Sequence, residues 1–262
     1  MQRSPVFIVG STRSGTSALV DALYAAGYTG YREGNFLTLL TAIGNAVDRK
    51  FAASANGNPE VMISLIDRDR LKYDIGRVFK RTVEDVQRGT PWFDKTGNPD
   101  MIEAIPQLLA LWPESAFIFA KRRGIENVLS RVIKFSRNDF TQHCIGWARN
   151  MRAWRDTRPL LAPQCYIEID QHDMVAHPGE TGVALSMFLS NNETAAPLIA
   201  AALASTRPQE TRPGTASRVV ALGDTGWSEA QQQIFVQHCG GEMQAFGYSL
   251  DGSYRLNLEG VL

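Results

Sequence analysis

Apolar and polar positions along the chain fall into short strand-type runs separated by longer helical stretches. Pro5-Val-Phe-Ile-Val9 is β-branched and aromatic and stops at Gly10, which predicts a buried first strand. Leu19, Val20, Leu23 and Tyr24 then recur at helical spacing, and Gly27 supplies the stop. The stretch Phe36–Gly89 reads as mainly helical, with Leu37, Leu40 and Ile43 on one side and Ile66–Val86 charged and amphipathic. Trp92–Asp94 fits a short strand, and Ile102–Leu111 a helix that ends before Pro113. Ala116–Ala120 is the clearest second core strand, and a basic turn and a helix through Ile133 follow it. A further helix carries Trp147, Met151 and Trp154, whose spacing favours core packing. Cys165–Ile169 is a third strand, Thr206–Gly226 a long loop, and Trp227–Phe246 a return to helix.

Strands alternating with helices predict an α/β fold of the P-loop NTPase type, with a central, mainly parallel sheet flanked by helices. Neither a repeat nor a linker interrupts the pattern, so one domain over residues 1–262 is expected. Loops as long as Thr206–Gly226 are often lids or binding segments.

Composition narrows the chemistry. Hydrophobic residues make up 44% and charged residues 21% of the 262, and 27 basic residues balance 27 acidic ones. That balance argues against an extended nucleic-acid footprint but leaves room for a local basic pocket. Cys144, Cys165 and Cys239 are odd in number and form no C-x-x-C pair, so reduced thiols in a cytoplasmic protein are expected. His172 and His177 are five apart, which is not the spacing that stacks two ligands on one helical face, and no metal site is expected. The apolar run Val6–Val9 is too short for a signal-peptide core, and no stretch is long enough to span a bilayer.

The candidate chemistry begins at Gly10-Ser-Thr-Arg-Ser-Gly15-Thr16-Ser17. Its glycines have the spacing of G-x-x-x-x-G-K-[ST], but Thr16 stands where the lysine would be, and Arg13 puts a cation inside the loop instead. A strand-to-helix turn offers converging N–H groups, Ser14, Thr16 and Ser17 add hydroxyls, and the helix dipole favours an anion. A second basic turn, Lys121-Arg122-Arg123-Gly124, closes the second core strand, with Ser130 on the helix that follows. A planar guanidinium suits a bidentate grip on phosphate. Tyr166-Ile-Glu-Ile-Asp170 could in principle mimic an acidic Walker B strand end.

The segment Val6–Leu19, with its Arg-Ser-Gly-Thr core, resembles the 5′-phosphosulfate loop of sulfotransferases that use 3′-phosphoadenosine-5′-phosphosulfate (PAPS), especially the tyrosylprotein, carbohydrate and bacterial types. Thr12 replaces the proline usual before the arginine. Arg122 and Ser130, eight residues apart, match the family's arginine and serine for the donor's 3′-phosphate. Arg123 replaces the acidic residue common after that arginine, so either Arg122 or Arg123 could take the role. Asp94-Lys-Thr-Gly-Asn-Pro99, and Trp227, Cys239 and Phe246-Gly-Tyr248, resemble further family segments, while Phe36–Gly89 has no counterpart.

The resemblance implies PAPS as donor, adenosine 3′,5′-bisphosphate (PAP) as product, no metal, and a hydroxyl acceptor on a small molecule, lipid or glycan. Donor contacts would come from Arg13, Ser14, Gly15, Thr16, Ser17, Arg122 and Ser130. Arg13 and Lys95 would be the cations for the leaving group. Lys95-Thr96-Gly97 lacks the histidine base of many cytosolic relatives, but Glu33 stands twenty residues after Arg13, where tyrosylprotein-type relatives carry a glutamate base. His143 is the fallback base. The acceptor pocket would draw on Phe36–Gly89 and the Thr206–Gly226 loop. A divergent P-loop kinase and a catalytically silent nucleotide binder of the same fold are the alternatives.

Overall fold

The structure, a computed structural model, describes residues 2–54, 60–87, 89–190, 192–205 and 218–257. The first strand, β1 (Val6–Gly10), is buried at all five positions, as a strand covered on both faces must be. After it come α1 (Thr16–Ala25), the two-residue β2 (Thr29–Gly30), α2 (Thr38–Ser54), α3 (Arg68–Gln87) and β3 (Trp92–Lys95). The chain continues through α4 (Pro99–Glu103), α5 (Ile105–Leu111), β4 (Ala116–Lys121), α6 (Gly124–Lys134), α7 (Phe140–Thr157) and β5 (Tyr166–Asp170). Four helices follow: α8 (Gln171–Ala176), α9 (Pro178–Ser190), α10 (Ala196–Ser205) and α11 (Glu229–Ala245).

The five strands run parallel in the order β2-β3-β1-β4-β5. This is the expected α/β sheet flanked by helices. Alternation along β1 sends Phe7 and Val9 to one face and Val6 and Ile8 to the other, each into its own apolar cluster. Phe7, Val9, Phe117, Phe119, Trp147 and Trp154 anchor the first cluster, which α2–α7 and α11 cover. Helices α1, α8, α9 and α10 cover the second. Trp147 and Trp154 are fully buried, and Trp154 stacks on Phe119 with ring centroids 4.5 Å apart.

Some boundaries depart from the periodicity. The single helix expected over Ile102–Leu111 is two short ones hinged at Ala104, because Asn98 caps a new start before Pro99 and Pro106 sits in the first turn of α5. The third strand begins one residue later than expected and runs to Asp170. The last helix opens at Ser228 in a capping box with Gln231. Of the loop expected over Thr206–Gly226, residues 206–217 lie outside the described residues.

The strand order reverses at β1: the chain lays β2 and β3 on one side of it, then β4 and β5 on the other. Ligands of open α/β sheets bind outside the carboxyl ends of the strands at such a switch point. The loop after β1 and the turn after β4 meet there.

A buried ion pair fixes the C-terminal part of the chain to this end of the sheet. Arg123 is fully buried and donates to both carboxylate oxygens of Glu126, to Val220 O at 2.6 Å and to Asp251 O at 2.7 Å. Glu126 in turn accepts the Val220 N–H at 3.0 Å, and the Tyr254 ring lies under the guanidinium. Removing one partner of such a pair leaves an uncompensated charge, so Arg123→Ala is expected to lose about 3–5 kcal/mol of stability in urea unfolding. Arg123→Met combined with Glu126→Leu is expected to regain most of that loss, because no charge is then left buried.

Candidate active site

The loop Ser11–Gly15 leaves β1 through Gly10, whose φ is +135°. A Cβ at Gly10 would lie 2.2 Å from the carbonyl oxygen of Ala120 on β4, so no other residue fits here. Arg13 and Gly15 both take left-handed backbone, with φ of 71° and 84°. Gly15 caps α1, and the first N–H groups of a helix have no intrahelical acceptor. A non-glycine residue held at positive φ, as Arg13 is, costs energy that folds tolerate mainly at functional sites.

Three elements converge on this loop. Arg13 Nε donates to Ser130 Oγ at 2.8 Å, which joins the two halves of the expected donor site. Arg122 Nη1 donates to the Arg13 carbonyl at 3.2 Å, and its own carbonyl accepts the Trp147 indole N–H at 3.0 Å. Arg131, which the sequence reading passed over, donates to Ser11 Oγ at 3.1 Å and Thr12 Oγ1 at 2.8 Å. Asn127 donates to Thr12 O and Ser14 Oγ, both at 3.0 Å. Asn127, Ser130 and Arg131 are three and four residues apart on α6, one helical face, and that polar stripe was the signal available in the sequence. Ser14 and Thr16 are buried in the loop, while Ser17 lies half-buried in the first turn of α1.

The electrostatics suit an anion. Burial, and then the charge of Arg122, pull Arg13 below its usual pKa, and burial does the same to Arg122 and Arg131. Arg122 Nε and Arg131 Nε are buried without an acceptor among the described residues. A buried donor left unmatched costs about 1–3 kcal/mol. The chain therefore carries guanidinium capacity here that its own groups do not use, which fits a ligand bearing two phosphate-type anions. Arg123, by contrast, spends its donors on Glu126 and the C-terminal carbonyls.

Asp170 does not lie open as a Walker B aspartate would. Its oxygens accept the hydroxyls of Tyr248 at 2.7 Å and Tyr254 at 2.6 Å, and the His172 N–H at 3.0 Å. Among the described residues no three His, Cys, Asp or Glu side chains converge. His143 is buried in α7, and burial, followed by the charge of Arg131, lowers its pKa.

Glu33 and Lys95 meet across the end of β3. The Lys95 ammonium donates to Glu33 Oε1 in an ion pair whose lysine side chain is 6% exposed and whose glutamate is 55% exposed. Glu33 thus sits at the surface of the cleft, without the burial that would raise a carboxylate's affinity for a proton. Thr96 N–H bonds Ile8 O at 3.3 Å, and Gly97 packs against Gly10 and Thr12, so the pair stands beside the phosphate loop. A second carboxylate, Asp94, lies beneath it. Thr96 Oγ1 donates to it at 2.9 Å, and burial pushes its pKa up to about 6. A pocket of about 230 Å³ adjoins Asp94, walled by residues of the segment before α2, of α3 and of β3, and so partly by Phe36–Gly89, the stretch expected to build the acceptor site.

Asp94 gives a pH test of this geometry. Its carboxyl binds a proton more tightly in the fold than in the unfolded chain, so stability should fall as pH rises from about 4 to about 6 and stay lower above that. Asp94→Asn cannot ionise and should lack this slope. Calorimetric melting points of the variant are expected to gain on those of the wild type between pH 4 and pH 7.

Comparison with known proteins agrees with the fold. The structure superposes on sulfotransferase STF9 from Mycobacterium avium with a TM-score of 0.55 at 14% identity, covering 96% of this chain and 79% of that one. The sulfotransferase domain of the Synechococcus PCC 7002 olefin synthase gives 0.54 at 16% identity, over 95% and 97% of the two chains. Sulfotransferase STF1 from Mycobacterium tuberculosis H37Rv gives 0.50 at 16% identity, over 90% and 77%. At these identities the likeness establishes the fold. No curated protein matches the chain in sequence. The sulfotransferase family profile matches residues 5–190, from the first strand through α9, and the chain therefore belongs to the sulfotransferase family.

Proposed function

We propose that the protein transfers a sulfuryl group from PAPS to a hydroxyl acceptor. The observation that carries this reading is the junction of Arg13, Arg122 and Ser130 at the switch point of the sheet, where two guanidiniums share one loop. A nucleotide with a 5′-phosphosulfate and a 3′-phosphate presents two anions, one for the loop and one for the strand-end turn. Arg13, Ser14, Gly15, Thr16 and Ser17 would hold the 5′ side through N–H groups, hydroxyls and the α1 dipole. Arg122 and Ser130 would hold the 3′-phosphate. Arg123 is committed to Glu126, which favours Arg122 for that role.

In the transfer step the acceptor oxygen forms a bond to sulfur as the bond from sulfur to the phosphate oxygen breaks. Glu33 takes the acceptor's proton, and Arg13 and Lys95 meet the charge growing on the leaving phosphate. The Glu33–Lys95 contact couples these events. Ionised, the pair is neutral; once Glu33 is protonated it carries one positive charge, created beside the leaving group as that group becomes more negative. A phosphoryl-transfer reading fits less well, because Thr16 leaves the loop without its lysine and the oxygens of Asp170 are engaged by tyrosines.

Calorimetric titration in the presence of EDTA is expected to show PAP binding much more tightly than ATP. Arg122→Ala should weaken PAP binding roughly ten- to a hundredfold, the value of a charged hydrogen bond. Equal affinity for ATP, or an absolute need for Mg²⁺, would sink the proposal. With labelled PAPS and a panel of alcohols, Glu33→Ala should lower kcat by roughly 10²–10⁴ while PAP affinity holds, the range for losing a general base. Donor binding without turnover on any acceptor would indicate a silent binder instead.

A further inference from the structure

The pocket beside Asp94 carries a statement about the acceptor. It lies between α3 and the edge of the sheet, and Phe36, Leu37, Val83, Val86 and Trp92 give it a mainly apolar wall. Trp92 is held edge-on against both Phe7 and Trp112, which makes that wall rigid. Among the described residues Asp94 is the only charged one lining the pocket and no cation lines it, which does not suit an anionic ligand. The remaining side-chain polar groups, on Tyr31, Thr82 and Gln87, are neutral and too few to match a sugar ring's hydroxyls.

Two further observations fix size and orientation. A dry apolar cavity of about 150 Å³ accommodates benzene, so about 230 Å³ takes one ring, or a short branched chain, with a small arm. Gly34 joins the pocket to the proposed transfer centre: it follows Glu33 in the chain, lines the pocket, and donates its N–H to Lys95 O at 3.0 Å. Any Cβ at residue 34 would fall 1.6 Å from Asp94 Oδ2, so only glycine lets the backbone after Glu33 lie this close to the Asp94 carboxylate at the polar end of the pocket.

We infer that this pocket binds the acceptor, and that the acceptor is an uncharged alcohol or phenol whose body is a single apolar ring or short branched chain. The apolar body sits between Trp92 and α3, and the hydroxyl lies at the Gly34 and Asp94 end, towards Glu33. This rests on the sulfuryl-transfer reading for what happens to the hydroxyl, but binding of the apolar body does not depend on it. Val86 is 57% exposed at the pocket, so a larger side chain there can narrow the pocket without disturbing the core.

The test uses the full chain and two probes, benzyl alcohol and methyl glucoside. Saturation-transfer NMR without donor is expected to detect benzyl alcohol but not methyl glucoside, and Val86→Trp should abolish the benzyl alcohol signal. With PAPS present, benzyl alcohol should be the better acceptor, and Val86→Trp should lower its kcat/KM at least tenfold while leaving PAP affinity unchanged; that unchanged affinity also reports that the variant is folded. Val83→Phe serves as a second plug. Benzyl alcohol binding untouched by both variants, or preferential turnover of methyl glucoside, overturns the inference. Failure of the donor reading looks different: PAP does not bind and PAPS is not consumed, yet benzyl alcohol still binds and Val86→Trp still removes it. That result overturns the acceptor role while showing that an apolar alcohol occupies the pocket.

Discussion

The site depends on how closely β1 and β4 approach at their carboxyl ends. Gly10 lies so near the Ala120 carbonyl that no side chain fits between them. This contact brings two turns, 110 residues apart in the chain, into one crevice. Once they are together, α6 can lay Asn127, Ser130 and Arg131 along the loop, and the loop's own backbone becomes an acceptor for Arg122. The sheet order makes the crevice, and the missing Cβ lets it close.

Arg122 and Arg123 illustrate how a turn divides labour between identical side chains. They are adjacent, and successive side chains at a strand end point in opposite directions. Arg123 turns into the protein, where Glu126 neutralises it and the C-terminal carbonyls complete its bonds. Arg122 turns to the loop, where it meets Arg13 and, among the described residues, no carboxylate within ion-pair distance. One arginine thereby holds the chain's last segment against the β4–α6 turn, and the other adds to a cationic crevice. The buried ion pair anchors the segment that carries Tyr248 and Tyr254, and their hydroxyls occupy Asp170. The same arrangement therefore closes off Asp170, the strand-end carboxylate that resembled an acidic Walker B end in the sequence.

Much of the proposed donor half was legible in the sequence because its signals are local. Pro5–Gly10, the glycine spacing of the loop and the basic strand end each announce one element, and the structure joins them as the motif order implies. The ambiguity between Arg122 and Arg123 was not legible, since it depends on the direction in which a strand end projects each side chain. Arg131 and Asn127 were readable as a helical stripe next to Ser130, but they do not belong to the quoted motif. Ile102–Leu111 misled because its apolar periodicity runs through Pro106, and proline is welcome in a helix's first turn as well as after its end. Helices α9 and α10 drew no assignment at all: Pro178–Ser205 is rich in Ala, Gly, Ser and Thr, whose small side chains give little contrast between faces.

The proposed acceptor pocket resists the same reading for a structural reason. The crevice proposed for the donor is made where strands pair on both sides, so backbone hydrogen bonds dictate it and few sequences satisfy it. The pocket is made at the sheet's edge, where β2 is two residues long and bonds only to β3. Its far wall is α3, an amphipathic helix with just Gly76 and Val83 buried. Side chains there face no fixed partner strand, so Thr82, Val83, Val86 and Gln87 can change in size and polarity without altering the register of the sheet. On the proposed function, an enzyme built this way holds its donor rigidly and can be retuned to new acceptors by substitution along a single helix. No motif marks such a wall, because its specificity lies in the volume it leaves open.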